Sequence, residues 1–349
     1  MRHYPSDRVD LRSDTVTQPT SEMRKIMSSA VVGDDVLGDD STVNELQEYI
    51  ARILGKEAAL FVPSGTMSNA IAIKSQTKPG DEIVTHKKSH IYLYEGGGYA
   101  SLAGCSVSLV GGDKGIMSPE DVKSAIRKSE GSQSHYPNCS LICVENTANM
   151  GGWSLYPIDV LDSICQIAHD NNCRAHLDGA RLFNATVASN IRPDRMVQNF
   201  DTISICLSKG LGSPVGSLLV GDSKTIAEAH RWRKIFGGGM RQSGILAAAG
   251  LYALKNNIDR LHEDHSRAFK LAESVNSMNG FEVDISSVQS NMAYITCQNK
   301  SASTVVSELG NQGIDVLSIN DDVVRAVTHL HITDEDISRT IDAFKNIST

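Results

Sequence analysis

Between residues 58 and 210, short apolar runs recur, each ending in a polar tip: AALFVPSGT, DEIVTH, CSVSLVGG, CSLICVENT, RAHLDGAR and TISICLSKG. Helix-length segments separate several of them. In one, from Pro157 to Asp170, Pro157 suits the first turn while Leu161, Ile164, Ile167 and Ala168 supply an apolar face. Such alternation predicts a mostly parallel sheet wrapped by helices, an α/β domain over residues 41–240. Its first helix is expected from Thr42 to Leu54, with Thr42 as cap, Glu45 as capping-box partner and Gly55 as stop.

Residues 1–40 read as an extended or irregular arm, interrupted by Pro5, Pro19 and Gly33 and acidic at Asp34, Asp35, Asp39 and Asp40. Beyond residue 240, GILAAAGLYALKNN and EDHSRAFKLAESVNSM read as helices. Strand-like FEVDI, NMAYITC and VVRAVTHL follow, with helical ASTVVSELGNQG and DEDISRTIDAFKNIS. Residues 241–349 are therefore expected to form a linking helix and a smaller C-terminal α/β domain.

The net charge of −8 gives no basic excess for nucleic acid, and 40% hydrophobic residues suffice for a large core. The longest apolar stretches are too short to cross a membrane, and the charged start MRHYPSDRVDLRSDTV does not read as a secretory signal. Seven cysteines, an odd number in a chain this large, fit a reducing cytoplasmic location. With no second cysteine pair and no compact histidine cluster, no metal site is expected.

Lys209 stands just past the apolar strand TISIC, before the flexible GLGSPVG turn, where an amine could form an imine. Ser64, Gly65, Thr66 and Ser68 lie between a strand and a helix expected near Met67, where N–H groups and hydroxyls could cradle phosphate. Asp178 follows RAHL, with Arg181 one helical turn on. Amine, phosphate cradle and buried acid are together what a pyridoxal phosphate (PLP) site requires.

The chain resembles the low-specificity threonine aldolases, PLP enzymes of fold type I related to β-eliminating lyases. The resemblance is carried by LRSDTVTQPT, GDDVLGDD, KEAALFVPSGTMSN, HLDGARLFNA, CLSKGLGSPVGS and GGGMRQSGILAAAG, in that order through nearly the whole chain. It implies a large domain built on a mostly parallel seven-stranded sheet, and retro-aldol cleavage of β-hydroxy-α-amino acids such as L-threonine or L-allo-threonine to glycine and an aldehyde. It also implies that Lys209 forms the imine with the cofactor, Asp178 meets the pyridine nitrogen and Arg181 orients the ring-side network. By the same resemblance His90 packs over the ring, Gly65 and Thr66 bind phosphate, and Arg241 reaches a phosphate in another subunit. Ser13 and Arg325 would receive the amino-acid carboxylate, and the protein would be a homo-oligomer, dimer or tetramer, with shared sites. His90 and His135 are the proton-transfer candidates.

Two positions depart from the family pattern. Ala148, in ENTANM, stands where a histidine is usual, and Leu37, in GDDVLGDD, where a tyrosine is usual. An alanine racemase-like or β-eliminating reaction on the same fold is therefore the alternative, with a noncatalytic interaction protein as a separate reading.

Overall fold

The structure is a computed structural model that describes residues 6–129, 133–152 and 154–348. After a short first strand, β1 (Val9–Asp10), come the seven strands of the main sheet: β2 (Ala58–Val62), β3 (Glu82–His86), β4 (Ser106–Val110), β5 (Cys139–Glu145), β6 (Arg174–Asp178), β7 (Thr202–Cys206) and β8 (Ser217–Gly221). Their order is β2-β8-β7-β6-β5-β3-β4. β8 is antiparallel to both neighbours, and every other pairing in the sheet is parallel. Residues of β7 and β8 are buried throughout, which is why such strands read as continuous apolar runs instead of alternating ones. Because six strands point the same way, the polar tips after β2, β3, β5, β6 and β7 gather along one edge, where open α/β sheets place their ligands.

The helices owe their starts to specific acceptors. Helix α1 (Ser21–Ser28) is capped by Thr20 and buries Met23, so the arm is not irregular throughout. Helix α2 (Ser41–Ile53) begins one residue before Thr42, and its cap is Asp40. The Asp40 carboxylate accepts from Val43 N at 3.1 Å and, with its other oxygen, from Gly244 N at 2.8 Å, a double task that a hydroxyl cannot perform. The Thr42 hydroxyl instead donates to Val31 O. Gly55, at φ 61°, ends the helix as expected. Helix α3 (Gly65–Gln76) starts two residues before Met67, capped by Ser64. Pro157 immediately precedes the helix Ile158–Asp170 as its cap residue.

The acidic patch of the arm is not a solvated face. Asp35 is buried against Arg233 at 2.9 Å, Asp40 is buried, and Asp34 pairs with Arg241. The seven cysteines are free and buried.

The C-terminal part carries β9 (Phe281–Glu282), β10 (Met292–Cys297), β11 (Ile314–Asp315), β12 (Leu317–Ser318) and β13 (Val323–Val327). Four of these make an antiparallel sheet in the order β12-β13-β10-β9, while β11 pairs in parallel with β1. Val9 and Leu11 pack in one core with Leu271, Ile295, Ile337 and Phe344. The start of the arm thus lies on C-terminal structure.

Asp40→Ala should cost about 2–4 kcal/mol, the loss of a cap plus a buried N–H left without an acceptor. The check is the thermal unfolding midpoint, which should fall by several degrees; an unchanged midpoint would show that the link between α2 and Gly244 is dispensable.

Candidate active site

Asp178 is the last residue of β6, opposite Glu145 on β5 and Ser204 on β7. It is buried. One carboxylate oxygen accepts from Ala180 N at 3.2 Å and the other from Asn69 Nδ2 at 2.9 Å. Lys209 lies three residues past β7, and its carbonyl accepts from Gly212 N at 2.8 Å and from the Thr17 hydroxyl at 3.1 Å. Among the described residues, no carboxylate lies within 4 Å of its amine.

Arg181 grips Asp14 of the arm with two bonds of 2.6 and 2.7 Å. Both side chains are almost sealed, 9% and 0% exposed. Burial alone would raise the Asp14 carboxyl, but Arg181, with help from Lys209 and His329, holds it below its ordinary value. The neighbouring Ser13 caps the turn Asp14–Val16, its hydroxyl accepting from Thr15 N. Arg325 reaches the same region from β13, beside Tyr294 on β10. It donates to Arg12 O at 3.0 Å, while its Nε is buried with no partner. Burial lowers its pKa, and Asp14, Arg181 and Tyr294 all act on its charge. The structure therefore brings Ser13, Arg181, Lys209 and Arg325 to one place.

His90 opens the short helix His90–Leu93. Its N–H donates to Glu145 at 2.9 Å and its Nδ1 bonds Glu95 at 3.0 Å. Burial works to lower its pKa, but Glu95 and Asp178 outweigh this and raise it. Glu95 also accepts from Asn69 Nδ2 at 2.8 Å, so a single amide ties His90's partner to Asp178. Ligand atoms of His90, Glu95 and Asp178 lie within 4.8 Å of one another. With those hydrogen bonds in place, the group reads as an acid–imidazole cluster. Asn69, Glu95 and Asp14 are contributors that the sequence reading missed. The available signals were spacing alone: Asn69 is one helical turn beyond Gly65, and Glu95 is five residues beyond His90.

Gly65 and Thr66 form the first turn of α3. Among the described residues, their N–H groups have no acceptor, as expected of a helix start open to an anion. A Cβ on Gly65 would come within 2.7 Å of the Cys206 sulfur, so the close approach of this turn to β7 requires glycine. Arg241 is held on the surface by Asp34 at 2.8 Å. His135 is not brought to the site: it is exposed, stacks on Tyr136 and precedes the N-terminal end of β5, whereas the site lies at the C-terminal ends. Ala148 is buried in the loop after β5, and Leu37 is 72% exposed.

Burial and the adjacent Asp178 push the Glu145 carboxyl up to about 7, against N–H bonds from His90 and Asn149. An acid raised in the folded state binds more protons there than in the unfolded chain, whose value is about 4.3. Stability is therefore lost as pH rises through this window, and the loss is complete above the folded value. Glu145→Gln, neutral at every pH, should melt higher than the wild type by a margin that grows from about pH 5 to about pH 8. A margin independent of pH would contradict the raised value.

The family described as Beta-eliminating lyase matches residues 10–298. Low-specificity L-threonine aldolase 1 of Arabidopsis thaliana is 42% identical over 343 residues, covering 97% of this chain and 95% of the relative. The solved threonine aldolase of Leishmania major superposes with a TM-score of 0.84 at 20% identity, covering 97% of this chain and 99% of its own. A solved structure of SPT with PLP superposes with a TM-score of 0.75 at 17% identity, covering 98% and 88%. The motif order, the seven-stranded sheet and these matches agree: the chain belongs to the β-eliminating lyase family, beside the low-specificity L-threonine aldolases.

Proposed function

We propose that this chain is a PLP-dependent aldehyde-lyase that cleaves β-hydroxy-α-amino acids, such as L-threonine or L-allo-threonine, to glycine and an aldehyde. The observation that carries the reading is a set of groups around one site that are unmatched among the described residues: an amine without a carboxylate, a half-buried guanidinium with a buried, unpartnered Nε, and a helix start with open N–H groups. Each is an unmet demand that a phosphorylated pyridinium and an amino acid would meet.

The residues fit such a cofactor. Lys209 would hold it covalently, Gly65 and Thr66 would donate to its phosphate, Asp178 would face its ring nitrogen and His90 its ring. When bound, pyridoxal phosphate supplies an electron sink for the pair released as the Cα–Cβ bond breaks. Arg325 and Ser13 would bind the amino-acid carboxylate, with Arg181 kept in place by Asp14. The Lys209 amine would carry the proton, and His90, on whose charge Lys209 acts, would be the imidazole candidate for proton transfer. Ala148 presents a methyl group alone, so this loop position moves no proton.

We place the enzyme in the cytoplasm as a homotetramer. Support for assembly comes from large apolar side chains left exposed on and beside the arm, Val31, Leu37 and Ile235 among them. In an assembly, the surface-held Arg241 would lie within reach of a neighbouring subunit's phosphate.

Incubation with threonine, allo-threonine, phenylserine, serine and both alanine enantiomers decides the reaction. Glycine plus an aldehyde is expected, whereas inverted alanine or an eliminated β-substituent would move the assignment to racemase or β-eliminating lyase. Lys209→Ala should lose the visible absorbance of lysine-bound cofactor. Arg325→Ala should raise KM for the amino acid about 10–100-fold, the worth of a charge-assisted bond, with a smaller effect on kcat. An unchanged KM would remove Arg325 from carboxylate binding.

A further inference from the structure

Asn69 and His176 lie beneath the cluster of acids, and their hydrogen positions can be worked out. An amide nitrogen carries two hydrogens. In Asn69 both are used, one on Glu95 at 2.8 Å and one on Asp178 at 2.9 Å. With the nitrogen committed to both carboxylates, the other amide atom, Oδ1, is the one that faces His176 Nε2 at 3.1 Å. An oxygen there requires a hydrogen on Nε2. His176 is completely buried, and burial drives its pKa down to about 4, so the ring is neutral and carries a single N–H. Its Nδ1 is then an acceptor, taking the Thr202 hydroxyl hydrogen at 2.9 Å. The Thr202 oxygen in turn accepts from Gln76 Nε2 at 2.8 Å, and the other hydrogen of Gln76 goes to Ala72 O at 2.8 Å.

All donors in this chain point the same way, from Gln76 through Thr202, His176 and Asn69 to the two acids. Turning over any one member would set donor against donor or acceptor against acceptor at both its ends. We infer that Asn69 and His176 are positioning residues: a one-directional relay of hydrogen bonds aims both amide hydrogens of Asn69 at Asp178 and Glu95 and so fixes both the acid under the pyridine nitrogen and the partner of His90. Two buried acids this close oppose each other's charge. Burial and Asp178 leave the Glu95 carboxyl above its ordinary value, although the His90 and Asn69 bonds pull it down. The aligned dipoles of the relay add to that pull. Asn69 bonds the two acids and His176 bonds Asn69, so their effect would pass through Asp178 and Glu95. The inference rests on the reading that Asp178 and His90 face the pyridoxal ring.

Histidine ¹⁵N spectra of the protein without cofactor, with His176 assigned by its loss in His176→Gln, test the relay directly. The expected result is a neutral ring with hydrogen on Nε2, not titrating between about pH 5.5 and 8. A hydrogen on Nδ1, or titration inside that range, overturns the relay. Thr202→Val removes the donor to Nδ1 and should leave His176 in mixed tautomers; an unchanged spectrum overturns the relay as well. In the cofactor-loaded protein, Asn69→Ala should weaken PLP binding about tenfold and move the pH midpoint of its absorbance by about one unit. A folded Asn69→Ala protein with wild-type affinity and midpoint would make Asn69 merely structural. If wild-type protein binds no PLP while its His176 spectrum is as expected, the functional reading fails and the relay stands as a feature of the fold.

Discussion

The Asp14–Arg181 ion pair determines where the other parts of the site can stand. A carboxylate sealed from water costs several kcal/mol unless it is matched in charge and geometry, and two parallel bonds of 2.6 and 2.7 Å provide that match. Arg181 comes from just past the C-terminal end of β6, the middle strand of the large sheet, and Asp14 from an arm whose first strand lies on β11, so the pair joins the two cores at the point where chemistry is expected. Because Asp14 and Arg181 neutralise each other, Lys209 and Arg325 are left as the uncompensated charges beside them. A chain with a net charge of −8 thus carries a locally cationic pocket, suited to a phosphate and a carboxylate.

The same pattern of charge explains why one face of the site is acid-rich. Asp178, Glu95 and Glu145 sit within a few residues' reach of His90, and each is held by donors aimed at it: the Asn69 amide, the His90 imidazole, and the N–H groups of His90, Asn149 and Ala180. Removing a donor here would not simply delete a contact, since the acid left behind would take up a proton. The side of the site around His90 and the side around Arg325 are therefore built on opposite electrostatic terms.

The parallel sheet was legible because strands buried on both faces appear as unbroken apolar runs with polar ends, and the ends named Lys209, Asp178 and Gly65 directly. The antiparallel β8 was not, since nothing in SLLVG distinguishes its direction from that of its neighbours. The cap of α2 was misjudged for a related reason. Thr42 and Asp40 are both sound caps locally, and a backbone N–H more than 200 positions away, that of Gly244, decides between them. Asn69, Glu95 and Asp14 went unread because their value lies in partners distant in sequence. His135 failed differently: a histidine in a loop carries no mark of which end of the sheet the loop serves.

The pairing of β1 with β11 also sets the order in which the molecule can assemble. Val9 lies against Ile314, Leu11 O accepts from Val327 N, Asp10 O is bonded by His329, and the Gln18 backbone is bonded by His331 Nε2. The strands of the main sheet end at Gly221, so their own pairings can form on a growing chain before β11, the partner of β1, has been made. Closing a loop of about 300 residues is slow and is rewarded only when it is complete. The sheet ends that carry Asp178 and Lys209 are therefore close in sequence, whereas the side where the arm meets β13 comes together only once the first-made and last-made segments have found each other.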